Sequence, residues 1–368
     1  MTTTIRLRGP ADIITVLPYH LGYRPSDSLV VVLLDGPRVG MVARLDLPPP
    51  HIDPQLVVDE LLPYVLRERP DRVVLVGFET RPGHAQPAGS AMHDALVDAG
   101  IGTVERLLVR DGRWWCLDGD EACCPPDGEV LPPDDRVPAV ADYVVLGRQP
   151  AASRDGLAER LAYTDDPAQD ARCAALIHEL ESVRRRPRPL QRRRRRVLEA
   201  WGRVLSTDVT HEEDWAWAVV GLLDVPVRDL LIAWLCPGTL ELDVFPLSLR
   251  RLAATHLPAR DGAWVQESDL AGLDGLDGLD GLDGLGAIDP SAGADGMVVA
   301  GLAAACRRSP PELSPGPLTV LGHVAWWQGD GALARTAVEQ ALAVDPGYRL
   351  AVLLQRMVDV AARPPRSA

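Results

Sequence analysis

The chain reads as an α/β domain with a mixed sheet, in the order strand-strand-helix-strand-helix-strand-strand, followed by an all-α region. Three observations predict this. Residues 28–34, SLVVVLL, and 72–78, RVVLVGF, are unbroken β-branched and leucine runs of strand length. Helix-period segments separate and follow them. Beyond about residue 135 the strand-type runs stop and long, tryptophan- and leucine-rich helical patterns take over.

Taken in order, Asp35-Gly36 is a turn after the first run, and VGMVARLDL at 39–47 returns as a second strand, stopped by three prolines at 48–50. Residues 53–68 form a helix capped by Asp53, with Pro54 at its first position and Pro63 expected to kink or end it. The strand at 72–78 is followed by a polar loop from Glu79 to Gly89, then a helix near 90–99 stopped by Gly100. Residues 105–118 read as a second hairpin turned at Asp111-Gly112. Further on, Ser153 caps a helix reaching Tyr163, Thr210 and Glu213 form a capping box before 214–223, and Pro226 opens the next helix. The organisation is therefore a mixed-sheet domain at 1–135, a helical region at 136–268, a flexible linker at 269–292 and a second helical region at 293–368. The linker is assigned from the tripeptide repeat GLDGLDGLDGLDGLG at 272–286, which is short, lacks proline and misses the calcium-binding nonapeptide pattern.

Composition excludes several classes. The 368 residues are 46% apolar and 24% charged, those of a globular protein large enough for two cores. The longest apolar stretch, Trp215 to Cys236, is interrupted by Asp224, Arg228 and Asp229, so no membrane partner is expected. No export signal opens the chain and the six cysteines are irregularly spaced, so reduced thiols and a cytoplasmic location are the expectation. The chain contains neither lysine nor asparagine, which traces arginine usage to a GC-rich genome rather than to selected phosphate forks. The net charge of −14 opposes a nucleic-acid-coating role, although nine arginines fall between Arg184 and Arg196.

Three clusters carry chemistry. The first is the Tyr19–Ser28 segment, where Tyr19, Arg24, Asp27 and Ser28 can line a polar pocket at a sheet end, the arginine suiting a carboxylate or phosphate. The structural alternative is that Asp27 and Ser28 only cap the strand entry. His84, in the loop after the strand at 72–78, is an acid-base candidate if that strand is parallel to its neighbour, because the loop then lies at the carboxyl end; a solvated loop histidine is the alternative. No G-x-S-x-G elbow is present. The second cluster, Cys116, Cys123 and Cys124, has no standard zinc spacing and is compatible with a structural thiol cluster, a metal site completed from elsewhere, or a redox pair. The third, Arg192, Arg193, Arg194, Arg195 and Arg196, can serve nucleic acid, an acidic partner, or simply a solvated helix start.

Two resemblances add to this reading. The stretches DIITVLPYHLGYRPSDSLVVV at 12–32 and RWWCLDGDEACCPPDG at 113–128 resemble an actinobacterial family, domain of unknown function 4192. The resemblance implies a high-GC actinobacterial origin and no established activity; the LDG repeat and the arginine run are expected to be local departures. In 315–348, Leu318, Leu321, Gly322, Ala325, Ala334, Val338, Ala341 and Pro346 match the spacing of a single tetratricopeptide-like hairpin. One copy cannot build the concave peptide-binding surface of an array. Three classes of function follow: a cytoplasmic accessory or interaction protein, a small-ligand binder or enzyme using the Tyr19–Ser28 turn with His84, and a nucleic-acid-associated protein acting through the arginine run. The convergence of Tyr19, Asp27 and His84 on one pocket separates the second from the others.

Overall fold

The computed structural model describes residues 7, 9–36, 38–118, 125–145, 147–183, 186–206, 209, 211–258 and 290–365. It divides into two compact units, one built from residues 4–144 and 149–154, the other from the short segments 1–3 and 145–148 together with 155–368.

The first unit is a mixed sheet with helices. It opens with α1 (Pro10–Leu21), a helix that the sequence pattern does not announce. Tyr19 and His20 therefore belong to a helix end, and Gly22, at φ 78, is the left-handed cap that stops it. The strands β1 (Ser28–Asp35) and β2 (Arg38–Asp46) pair antiparallel. Next come α2 (Gln55–Glu68), β3 (Arg72–Phe78), α3 (Gln86–Asp98) and β4 (Gly102–Arg110). β5 (Arg113–Cys116) and a two-residue β6 (Glu129–Val130) complete the order β2-β1-β3-β4-β5-β6. Among the strands of the described residues, β3 and β4 run parallel, and β1 is antiparallel to both β2 and β3. α2 begins after Asp53, whose Oδ1 accepts the Gln55 N–H at 2.9 Å, and it continues through Pro63 to Glu68.

The unbroken apolar runs have a physical reason. Leu29, Val31, Leu33, Val73 and Leu75 face α2 and α3 through Val58, Leu61, Met92 and Leu96, whereas the alternating Val30, Val32, Val74 and Val76 are buried as well. A strand buried on both faces needs no polar alternation.

The second unit is helical, as the composition shift predicts. Its helices include α5 (Arg154–Glu159), α6 (Pro167–Val183), α7 (Pro187–Leu205), α8 (Glu213–Gly221), α9 (Val225–Leu235) and α10 (Leu247–His256), after α4 (Pro138–Val145), most of which lies in the first unit. α11 (Pro290–Arg307), α12 (Pro315–Gln328), α13 (Gly331–Val344) and α14 (Arg349–Asp359) close the chain. α8 starts at Glu213 itself, with Glu212 preceding it, so Glu213 is not the third residue of a capping box. Thr210 lies outside the described residues, as does the LDG repeat. α12 and α13 join at Gly329-Asp330, where the Asp330 side chain accepts the Leu333 N–H. A Cβ on Gly322 would come within 3.0 Å of Leu354 and 3.4 Å of Val338, so the small residue permits the close approach of α12 to α13 and α14. Among the described residues no helix is long and apolar enough to cross a membrane.

Candidate functional site

The antiparallel pairing of β1 with β3 sets Ser28 opposite Phe78, so the residue before β1 and the residues after β3 meet at one sheet edge. Because β3 and β4 are parallel, this is also their carboxyl edge, where α/β proteins place ligands. Asp27 sits there in the left-handed region at φ 37, a conformation that aspartate tolerates better than most residues. Its backbone carbonyl accepts the Leu47 N–H, fixing the end of β2.

The Asp27 carboxylate, 36% exposed, accepts three hydrogen bonds. Thr80 donates its N–H to Oδ1 at 2.9 Å and its hydroxyl to Oδ2 at 2.8 Å. His84 Nδ1 lies 3.1 Å from Oδ1, and His84 Nε2 lies 3.0 Å from the Pro48 carbonyl oxygen. Both ring nitrogens therefore face acceptors, and the ring donates in both directions only when each nitrogen carries a hydrogen. The imidazole side chain is 7% exposed. It bridges the ends of β2 and β3 and offers no nitrogen to a substrate. Burial favours the neutral Asp27 carboxyl, but the two Thr80 bonds and His84 outweigh it and hold its pKa below the usual aspartate value.

A folded-state pKa below the unfolded one contributes stability that is present above the unfolded value and is lost as pH falls through the folded one. Asp27→Asn should thus melt below wild type at neutral pH, with the gap closing as the pH drops below about 4. Thermal melts across an acid series read this directly; a gap that stays constant into strong acid would show that the carboxylate charge contributes nothing.

The same loop is gripped from its other side. Glu79, whose side chain is 0% exposed, accepts the Gly83 N–H at 3.1 Å, the Ala85 N–H at 2.8 Å and Arg110 at 2.7 Å. Arg110 in turn lies over the Trp115 ring, 4.8 Å from its centroid. Neither Glu79 nor Thr80 was singled out from sequence, since a lone acid or hydroxyl in a polar loop carries no spacing signal.

Tyr19 and Arg24 belong elsewhere. Tyr19 donates its hydroxyl to Asp134 Oδ2 at 2.7 Å, and Arg24 reaches the same oxygen at 3.0 Å. Burial, followed by the Asp134 hydrogen bond, pushes the Tyr19 hydroxyl up to about 12. α1 is held here by apolar packing of Val16 and Tyr19 on Val137, Ala139 and Val140. Among the described residues no hydrogen bond or ion pair joins this cluster to Asp27 and His84. Tyr19 and Arg24 thus share Asp134, while Asp27 and His84 belong to a second bonded cluster. Ser28 is fully buried and its hydroxyl has no hydrogen-bond partner among the described residues, so it lines no accessible pocket.

Cys116 is half-buried on β5, opposite Leu107 on β4. Cys123 and Cys124 lie outside the described residues, and among those described no group of three or more metal-type side chains converges.

The arginine run is part of α7 and is divided by helical periodicity. Arg194 makes a bidentate pair with Asp224 at 2.7 and 3.0 Å. Arg193 is 5% exposed, lies 3.8 Å from Glu179 and 5.1 Å over the Trp217 ring, and burial lowers its pKa against the pull of Glu179 and Asp224. Arg196 lies 3.8 Å from Glu213 and against the same indole. Arg192 and Arg195 are exposed.

No curated protein and no solved structure matches the chain. A family model does match, over residues 10–257 and 293–365, a span that includes the arginine run and passes over the LDG repeat. That match covers both units, and the chain belongs to the family described as Domain of unknown function (DUF4192).

Proposed function

We propose that this protein is a cytoplasmic accessory or interaction protein of a high-GC actinobacterial host, presenting surfaces rather than carrying out chemistry. One observation carries the reading: the most reactive side chains of the sheet edge are bonded to one another, with both His84 nitrogens facing protein acceptors. Asp27 accepts three hydrogen bonds from Thr80 and His84, and both nitrogens of the nearly buried His84 ring face acceptors, Asp27 and the Pro48 carbonyl. A general base needs a free nitrogen or oxygen within hydrogen-bond reach of its substrate. The small-ligand alternative would use the exposed part of the Asp27 carboxylate, since His84 offers no free nitrogen. The helical hairpin at 315–348, read as a single tetratricopeptide-like unit, suits a scaffold that packs on neighbouring helices.

The test is cross-linking mass spectrometry on the full chain purified from its own host, followed by sedimentation of the purified components. The expected result is a protein present in stoichiometric amount whose complex re-forms from those components. A stoichiometric small molecule held by the purified chain, with no reconstituted complex, would replace this reading with the ligand-binding one.

A further inference from the structure

We infer that the outward face of α7, carrying Arg188, Arg192 and Arg195, is a docking surface for an acidic segment of a partner protein; this rests on the accessory reading above and names its surface. The three arginines stand at i, i+4 and i+7, which places them on one side of the helix. All three are exposed, and none makes a hydrogen bond or ion pair within the described residues. Their neighbours differ. Arg194 and Arg203 turn inward to Asp224 and Asp214, Arg193 is buried over Trp217, and Arg196 reaches toward Glu213.

That division is unexpected for a merely solvated helix. The chain has 52 acidic residues against 38 basic ones, so acids are plentiful for pairing surface arginines. The nearest acid along the face is Glu199, one turn beyond Arg195, and it lies 3.9 Å from His256. α10 runs beside α7, tied by Gln191 to Ser248 at 3.1 Å.

The charge pattern selects a protein over nucleic acid. Arg188 to Arg195 spans about 10 Å along the helix, matching acids one turn apart on a partner helix. Duplex DNA presents one charge per ~1.7 Å, far denser than this face, and a net charge of −14 repels such a polyanion at long range. Among the described residues no Trp, Tyr or Phe is exposed, so no stacking platform for single-stranded bases accompanies the arginines.

Fluorescence anisotropy of the full chain with a labelled oligoglutamate peptide tests the surface, with a labelled DNA duplex run in parallel. Wild type should bind the peptide saturably, more weakly as salt rises, and R188Q/R192Q/R195Q should lose about tenfold or more in affinity. The triple lysine variant should keep binding, which separates lost charge from lost folding. Equal binding by the glutamine variant, or no saturable binding by wild type, overturns the inference; tighter binding of the duplex than of the peptide reassigns the face to nucleic acid. A partner found in the host whose complex survives the glutamine variant removes this surface while leaving the accessory reading intact.

Discussion

Glu79→Ala should cost the sheet unit about 3 kcal/mol of stability, because it takes the buried acceptor away from the partly buried Arg110 guanidinium and two loop amides. Gly83, Ala85 and Arg110 all converge on that carboxylate, which solvent does not reach. Glu79→Gln keeps the shape and one carbonyl acceptor, so it should lose less. Urea denaturation followed by circular dichroism measures both. Thr80 and His84 lie on the same loop, so the double variant with Asp27→Asn should fall short of the sum of the single losses. A loss below about 1 kcal/mol for Glu79→Ala would mean that water replaces the carboxylate at little cost.

The second large effect belongs to the helical unit. A Cβ added to Gly202 on α7 would lie 2.0 Å from the His256 carbonyl oxygen at the end of α10. Backbone cannot swing away as a side chain can. Alanine improves helix propensity by about 1 kcal/mol, but the clash should exceed that and leave Gly202→Ala destabilised by about 2 kcal/mol. Gly89 on α3 is the control: a Cβ there meets nothing within 4 Å. Gly89→Ala should therefore stabilise by roughly 0.5–1 kcal/mol. Thermal melts of the two variants should move in opposite directions; two stabilised variants would refute the tight packing of α7 on α10.

The contrast between these glycines shows what sequence can and cannot carry. The sequence pattern leaves Gly89 at the end of a polar loop, whereas α3 begins at Gln86 and takes it in; once both glycines lie in helices, only the partner helix tells them apart. The strands β1 and β3 were legible because burial on both faces writes itself as an unbroken apolar run. α1 was not, since Pro10 and Pro18 and the lack of a side-chain cap disguise its period. Asp27 and His84 were each legible as reactive residues, yet their partners were not. The Pro48 carbonyl is backbone, which any residue supplies, and Asp134 is 115 residues from Tyr19. In the arginine run a signal was present but did not separate Arg194 from its neighbours. Arg194 falls in the apolar ridge of Leu190, Val197, Leu198 and Trp201, where a charge persists only if an acid meets it, as Asp224 does.

The strand order has a consequence for the chain as it is being made. β1 is among the most apolar strands of the sheet, and it lies between β2, which follows at once, and β3, whose Phe78 pairs with Ser28. As the chain leaves the ribosome, the β1–β2 hairpin can close early, but the other edge of VVVLL stays unpaired until α2 and β3 have been synthesised. At about 5–20 residues per second, that is a window of seconds in which a sticky edge is open to another nascent chain. The charged helix α2, emerging inside that window and then covering one face of the strand, shortens the hazard before β3 ends it.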